Sequence, residues 1–497
     1  MLKLLNWLTL PRLLTMIIFI AIFTMAVRVI ADSDSWWHLQ SGRWIVENGT
    51  IPRTDPFSHT KLGEPWIDHG WLAQAVIYLL FDSLGYAGPV LFVAAMVTLA
   101  FYFVWLQCRK GDPWLRAFVL IIAAVTSAGI WAARPQIVSF VLTALVMYLL
   151  YRYKRGSDRV AWGLPLVVIL WVNIHGGFAI AFILMAAYLF GEVGNQILGI
   201  ESGIGWRRTG RLLLIMAVSF LVVPLNPNTF QMWAYPFQTV GIGVLQDFIA
   251  EWRSPDFHEF HFHPFIWLLL AALTVLGLSK KRADFTDLTL VALFSYMTLL
   301  AARNIALFAL VVGPVIVRYG TPVLVDWQER VLKRPPEEAR PDRETRPLFV
   351  AVNWLTLLLI ILAALIRISG PVSAQANEAA QAESLPVAAV DYLRQTEPPG
   401  PIFNNYNWGG YIIWELPRYP VFVDGRTDLY GNDLLREYLA TTFANSGWRE
   451  TLDKYGINLV LVESAAPLAV ELRREAGWEE HYRDEMAAVF VRGAGGG

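Results

Sequence analysis

The chain has 497 residues, 56% of them apolar and 16% charged, against roughly 25% charged in an ordinary soluble domain, so water is not its main solvent. A formal net charge of -1, with Lys and Arg in short separate clusters, excludes the basic stripe of a nucleic-acid binder. A single cysteine, Cys108, excludes an intramolecular disulfide framework and any Cys-based zinc site.

In chain order, residues 1–31 read as an uncleaved first span over 12–31 in preference to a signal peptide, because the apolar run from Leu13 outlasts a signal core. Further segments able to cross a hydrocarbon core of roughly 30 Å lie near 87–107, 116–133, 135–151, 160–178, 178–198, 211–225, 264–279, 285–301, 303–319 and 347–368. That makes about eleven spans. With the N-terminus inside, every basic cluster falls in a cytoplasmic loop: Arg109, Lys110 and Arg116; Arg152 to Arg159; Arg207 to Arg211; Lys280 to Arg282; and the linker 320–346. The first outer loop, 32–71, the outer loop 226–263 and everything after Arg367 then lie outside.

Past the transmembrane region, 1–369, residues 370–383 read as a linker and 384–492 as a small extracytoplasmic α/β domain. Helices are expected at 385–395, 434–443 and 467–474, strands at 401–403, 420–423, 457–462 and 487–491, and a disordered tail at 493–497. The expected fold is mainly α: a polytopic helical bundle carrying this domain.

Unusual polar residues gather on the outer side. The first outer loop holds Asp32, Asp34, Trp36, Trp37, His38, Asp68 and His69, and a helix over 72–82 follows it. Two carboxylates beside aromatic rings suit a general base, because burial raises a carboxylate's pKa. The same residues also suit a helix cap and a Trp interface anchor. Asn173 and His175 end a span, where they serve either a site or the backbone freed by Gly176 and Gly177. Arg134 and Arg303 each occupy a tight outer turn, fit for a phosphate or a lipid headgroup. His258, His261 and His263 lack a standard zinc spacing, and the Asn404–Tyr411 and Val423–Asp428 stretches follow expected strands.

The acids after the first span, the long loop with Trp36-Trp37-His38-Leu39 and Ile51-Pro52-Arg53-Thr54-Asp55-Pro56-Phe57-Ser58, the spans and the outer α/β domain together resemble the GT-C class of membrane glycosyltransferases. That class includes protein O-mannosyltransferases and lipid A aminoarabinose transferases, and the loop is also similar to bacterial GT-C-like proteins without an assigned substrate. The resemblance implies an inverting enzyme of the cytoplasmic membrane that moves a sugar from a polyprenyl-phosphate donor to a glycan, lipid or protein acceptor. It implies Asp34, before Asp32, as general base. His38, Asp68, His69, Arg134, Asn173, His175 and Arg303 become substrate or phosphate ligands, and a divalent ion is possible at Asp32 and Asp34. The O-mannosyltransferases carry adjacent acids where this chain has Asp-Ser-Asp, which leaves the choice of base open. The competing classes are a membrane oligosaccharide ligase or polymerase, a transporter, and a non-catalytic envelope assembly protein.

Overall fold

A computed structural model describes residues 7–244, 249–331 and 347–493. All eleven apolar segments lie in helices. Seven helical stretches among the described residues are long and apolar enough to cross a membrane: Ala87–Cys108, Pro113–Ile130, Gln136–Lys154, Gly176–Ile197, Phe260–Leu278, Ala302–Val331 and Leu348–Ser369. The other four expected spans are shorter helices, Leu10–Ala26, Gly163–Val172, Trp206–Leu221 and Phe285–Leu300.

Local chemistry sets the helix boundaries. Asp112 accepts from the Trp114 and Leu115 N–H groups at 2.9 and 2.8 Å ahead of Pro113, and Asp284 accepts from Thr286 N at 2.9 Å. Each thereby satisfies donors that a helix start leaves open. The expected helix at 72–82 is Trp71–Leu84. The expected linker 320–346 departs from the structure at its start, where helix Ile305–Val331 runs on through 320–331; residues 332–346 lie outside the described residues, as do 494–497 of the expected tail.

The first-loop segment is itself structured. Helix Asp34–Asn48 packs against Trp71–Leu84 on one side and against Gly409–Glu415 on the other. Asp32 Oδ1 accepts from Asp34 N at 2.9 Å, so one acid does cap this helix. Trp36 and Trp37, however, are buried and anchor no interface.

The C-terminal part forms a sheet of order β1-β2-β4-β3: β1 (Ile402–Asn404), β2 (Leu459–Glu463), β3 (Trp478–Arg483) and β4 (Ala487–Arg492). β1 pairs with β2 in parallel, and the remaining pairs are antiparallel. Strand β3 carries no alternating apolar pattern and was not expected from the sequence. Residues 420–423, expected as a strand, join no sheet because their backbone pairs with the first loop: Val421 N donates to Phe57 O at 3.1 Å and His59 N to Val421 O at 2.7 Å. In 370–383 the chain forms helix Ala374–Ser384, whose buried Asn377 accepts from Ile30 N at 2.9 Å.

The two parts share one hydrophobic core cluster, which runs from Ile18 and Trp36 through the bundle to Tyr411, Leu461 and Val489. Buried Arg426 joins them electrostatically. It pairs with Asp424 and with Asp55 of the first loop while lying 4.9 Å from the Trp66 ring centroid. The apolar burial supplies the larger part of the adhesion, and the buried charges specify how the surfaces register.

Candidate functional site

At the first-loop end of the bundle a cavity of about 830 Å³ opens between the helices and the C-terminal domain. Its lining combines apolar side chains from several helices, Ile130, Phe140, Ile180, Ile183, Leu300 and Leu307, with the polar His69, His175, Tyr235, Glu251, Arg303 and Asp428.

Asn173 to Gly177 breaks the path between helices Gly163–Val172 and Ala179–Ile197, which places His175 in extended backbone at the turn. A Cβ on Gly176 would come within 2.4 Å of the Tyr235 ring, so the turn requires glycine for this approach. Trp171 Nε1 donates to Ser139 Oγ at 2.7 Å, leaving the Ser139 hydroxyl to donate to His175 Nδ1 at 2.9 Å. Gly177 N–H donates to the same nitrogen at 3.1 Å. Nδ1 is therefore an acceptor, and the imidazole carries its proton on Nε2. Burial pushes the His175 pKa well below 6.5, with His69, Arg303 and Arg134 adding to the shift. His175 thus presents a neutral N–H donor.

Arg303 stands beside it in the turn Ala302–Asn304. Its guanidinium lies 4.1 Å from the centre of the Trp252 ring and forms no ion pair or hydrogen bond among the described residues. A cation with no carboxylate at ion-pair distance among the described residues, Glu251 acting on it only from farther off, favours an anionic ligand in a largely apolar cavity.

Asp34 lies behind this wall. Arg134 Nη1 donates to Asp34 Oδ2 at 2.6 Å and lies 3.5 Å from Asp32, while Nη2 donates to Gln136 Oε1 at 2.9 Å. Burial raises the Asp34 pKa to about 6 against the opposing pull of Arg134, with Asp32 adding to the rise. For Arg134, burial works against the charge, but Asp32 and Asp34 outweigh it and raise its pKa. Gln136 and Gly425 line the cavity; Asp34 does not. A Cβ on Gly425 would sit 1.9 Å from Asp34 Oδ1, so only glycine lets this loop close over the carboxylate.

His69, Tyr235 and Asp428 form a chain across three regions of the sequence. Tyr235 Oη lies 2.6 Å from His69 Nδ1 and donates to Asp428 Oδ2 at 3.0 Å. Burial lowers the His69 pKa, and Asp428 opposes that shift.

Four of the expected ligands fall off the cavity lining, among them Arg134, which Asp34, Asp32 and Gln136 hold. His38 and Asp68 are buried beside Gln74, off the cavity: Gln74 Nε2 is 3.1 Å from His38 Nδ1, and Asp68 accepts from Gly70 N at 3.2 Å. Burial pushes His38 well below 6.5 and Asp68 up to about 7. Asn173 donates to Ile169 O and Leu225 O, both at 2.8 Å, and accepts from Trp71 Nε1 at 3.3 Å, thereby tying chain segments together. Asp428 belongs to the Val423–Asp428 stretch and Tyr235 to the outer loop 226–263 that the sequence marks only as regions; Ser139 is a cavity residue that no local sequence signal marks.

Among the described residues no group of three or more His, Cys, Asp or Glu side chains can hold a metal ion. The suspected divalent-ion pair, Asp32 and Asp34, instead shares the guanidinium of Arg134. His258 pairs with Asp256, His261 faces Glu259, and His263 contacts Phe257 O, so the three histidines do not converge.

No protein-family profile matches the sequence, and no curated protein matches it. Solved structures do. An oligosaccharyltransferase of Archaeoglobus fulgidus, tethered with an acceptor peptide containing the NVT sequon, aligns with a TM-score of 0.59 at 13% identity over 92% of this chain and 70% of that one. The oligosaccharyltransferase AglB of Archaeoglobus fulgidus, in complex with an inhibitory peptide and a dolichol-phosphate, aligns at 0.59 and 14% identity over 97% and 74%. ArnT from Cupriavidus metallidurans, bound to undecaprenyl phosphate, aligns at 0.51 and 13% identity over 96% and 97%.

The fold is GT-C-like. At these identities the likeness concerns architecture alone. The GT-C-like fold and the apolar helices make the chain a polytopic integral membrane protein.

Proposed function

We propose that this chain is a membrane glycosyltransferase that moves a sugar from a polyprenyl-phosphate donor to an acceptor hydroxyl, with inversion at the anomeric carbon. The observation that carries the reading is the cavity: a largely apolar lining among helices that includes Arg303, without an ion pair among the described residues, and the fixed His175 N–H donor. An amphiphile with an anionic head matches that layout. Arg303 and His175 neutralise the phosphate charge that develops as the sugar leaves. The ArnT and AglB structures, which hold undecaprenyl phosphate and dolichol-phosphate, support this choice of donor.

The basic loops favour a reaction on the outer face of the cytoplasmic membrane, with the N-terminus inside. Two groups are candidates to take the acceptor's proton, Asp34, which packs against Gly425 of the cavity lining, and His69 in the lining itself. Transfer of a preassembled oligosaccharide is the second reading, favoured by the likeness to the archaeal oligosaccharyltransferases.

The test is to mix the purified protein with labelled lipid-linked sugars. Release of free polyprenyl phosphate, with the label moved to a hydroxyl, is the expected result, and its mass separates single-sugar from oligosaccharide transfer. A protein that binds these lipids and never cleaves them is a transporter or an assembly factor.

A further inference from the structure

We propose that His69, oriented by Tyr235 and Asp428, is the group that takes the acceptor's proton, so that the C-terminal domain supplies part of the catalytic machinery. The proposal rests on the glycosyltransferase reading and assigns a chemical role within it.

The argument is one of hydrogen-bond direction. The Asp428 carboxylate only accepts, so the 3.0 Å contact consumes the single proton of the Tyr235 hydroxyl. Tyr235 Oη must then accept from His69 Nδ1 at 2.6 Å, which fixes the proton of His69 on Nδ1. Its Nε2 is left with a lone pair and makes no hydrogen bond among the described residues, on a ring that lines the cavity 5.4 Å from that of His175. The two histidines are opposite tautomers. His175 offers a proton from Nε2, whereas His69 offers a lone pair, and a transfer from phosphate to hydroxyl needs one of each.

Asp34 is less well placed. Its carboxylate is partly exposed but committed to Arg134 at 2.6 Å, and it is not among the residues that line the cavity. Its part is to hold Arg134, which in turn holds Gln136 of the cavity lining.

As the acceptor oxygen bonds to the anomeric carbon, its proton passes to His69 Nε2. The bond from that carbon to the phosphate oxygen breaks, and its electron pair leaves with the polyprenyl phosphate toward Arg303 and His175. The imidazolium is stabilised through Tyr235 by Asp428, and its proton is lost to water once product leaves. Tyr235, Asp428, His175 and, farther off, His38 are the titratable groups facing His69. Burial holds the imidazole below 6.5, so it is neutral and competent at pH 7.

The experiment uses the full chain in nanodiscs, labelled polyprenyl-phosphate-linked sugars for turnover, and undecaprenyl phosphate for binding. His69→Ala should lose about 10²–10⁴-fold in turnover while undecaprenyl phosphate affinity stays within about threefold. Turnover equal to wild type overturns the proposal. Tyr235→Phe removes one oxygen and serves if His69→Ala does not fold; its loss of activity on acidification should move to lower pH, since the imidazolium loses its support. An unmoved acid limb overturns the relay. If wild-type protein releases no polyprenyl phosphate from any donor, the glycosyltransferase reading falls and this assignment with it; if wild type is active and His69→Ala equally so, only this assignment falls.

Discussion

The helical bundle has a polar cluster at each end, and the two clusters differ in how completely their groups are satisfied. At the end away from the first loop, Lys154 contacts Glu192, Asp284 and Thr286, while Asn195 and Ser202 donate to Asp284, and Ile204 N donates to Glu192. Nearby, Arg318 reaches both oxygens of Asp287, at 2.7 and 2.6 Å, and the Tyr319 hydroxyl donates to the second at 2.9 Å. Each of these buried carboxylates has a cation and further donors. At the first-loop end, about 27 Å away along helix Gln136–Lys154, Arg303 has no ion pair among the described residues, and His69 and His175 each keep one ring nitrogen without a hydrogen bond among those residues. A saturated buried network holds helices together; an unsaturated one beside a cavity is available for a ligand.

The largest effect should come from breaking the saturated end. Lys154→Met leaves Glu192 and Asp284 buried without their cation and should cost about 3–5 kcal/mol of stability, read as a lower unfolding midpoint in detergent. Arg303→Ala should do the reverse. It removes a charge whose contact among the described residues is the Trp252 ring, so melting stays near wild type while polyprenyl phosphate release falls by about 10²–10³-fold. Should Arg303→Ala unfold the protein and Lys154→Met slow only turnover, the contrast between the two ends is wrong.

Gly425→Ala probes the seam between loop and domain. The added methyl would overlap Asp34, and overpacking costs about 1–3 kcal/mol; a melting curve and a turnover assay on one preparation separate strain from lost function. The smallest effect concerns Asp68, which burial holds near pH 7. Its folded-state pKa lies above the unfolded one, so the stability from its bound proton is complete below about pH 4 and is lost as pH rises through 7. Asp68→Asn cannot ionise and should lose about 2 kcal/mol less than wild type between pH 5 and 8. Parallel pH dependences in the two proteins would show that Asp68 does not carry this loss.

Much of the architecture was legible from local properties. An apolar run of span length must satisfy its own backbone, which leaves helix as its structure. Gly-Gly after His175 marks a turn, and Arg303 stood out as a lone cation between apolar runs. The misses have physical reasons. Residues 420–423 have strand composition, yet the first loop takes up their backbone groups, and the half-exposed strand Trp478–Arg483 lacks an alternating pattern. His38, Asp68 and Asn173 are of the residue types that chemistry uses, but burial turned them toward Gln74, Gly70, Ile169 and Leu225 instead of the cavity.

By itself the sequence determined the solvent of this chain, its helical segments and its small α/β tail, because hydropathy and charge act over one helix length. Only the tertiary structure decided which of its polar residues meet. Asp428 reaches Tyr235 across 193 positions and Tyr235 reaches His69 across 166, and the packing of the domain onto the first loop, not any local pattern, sets those distances.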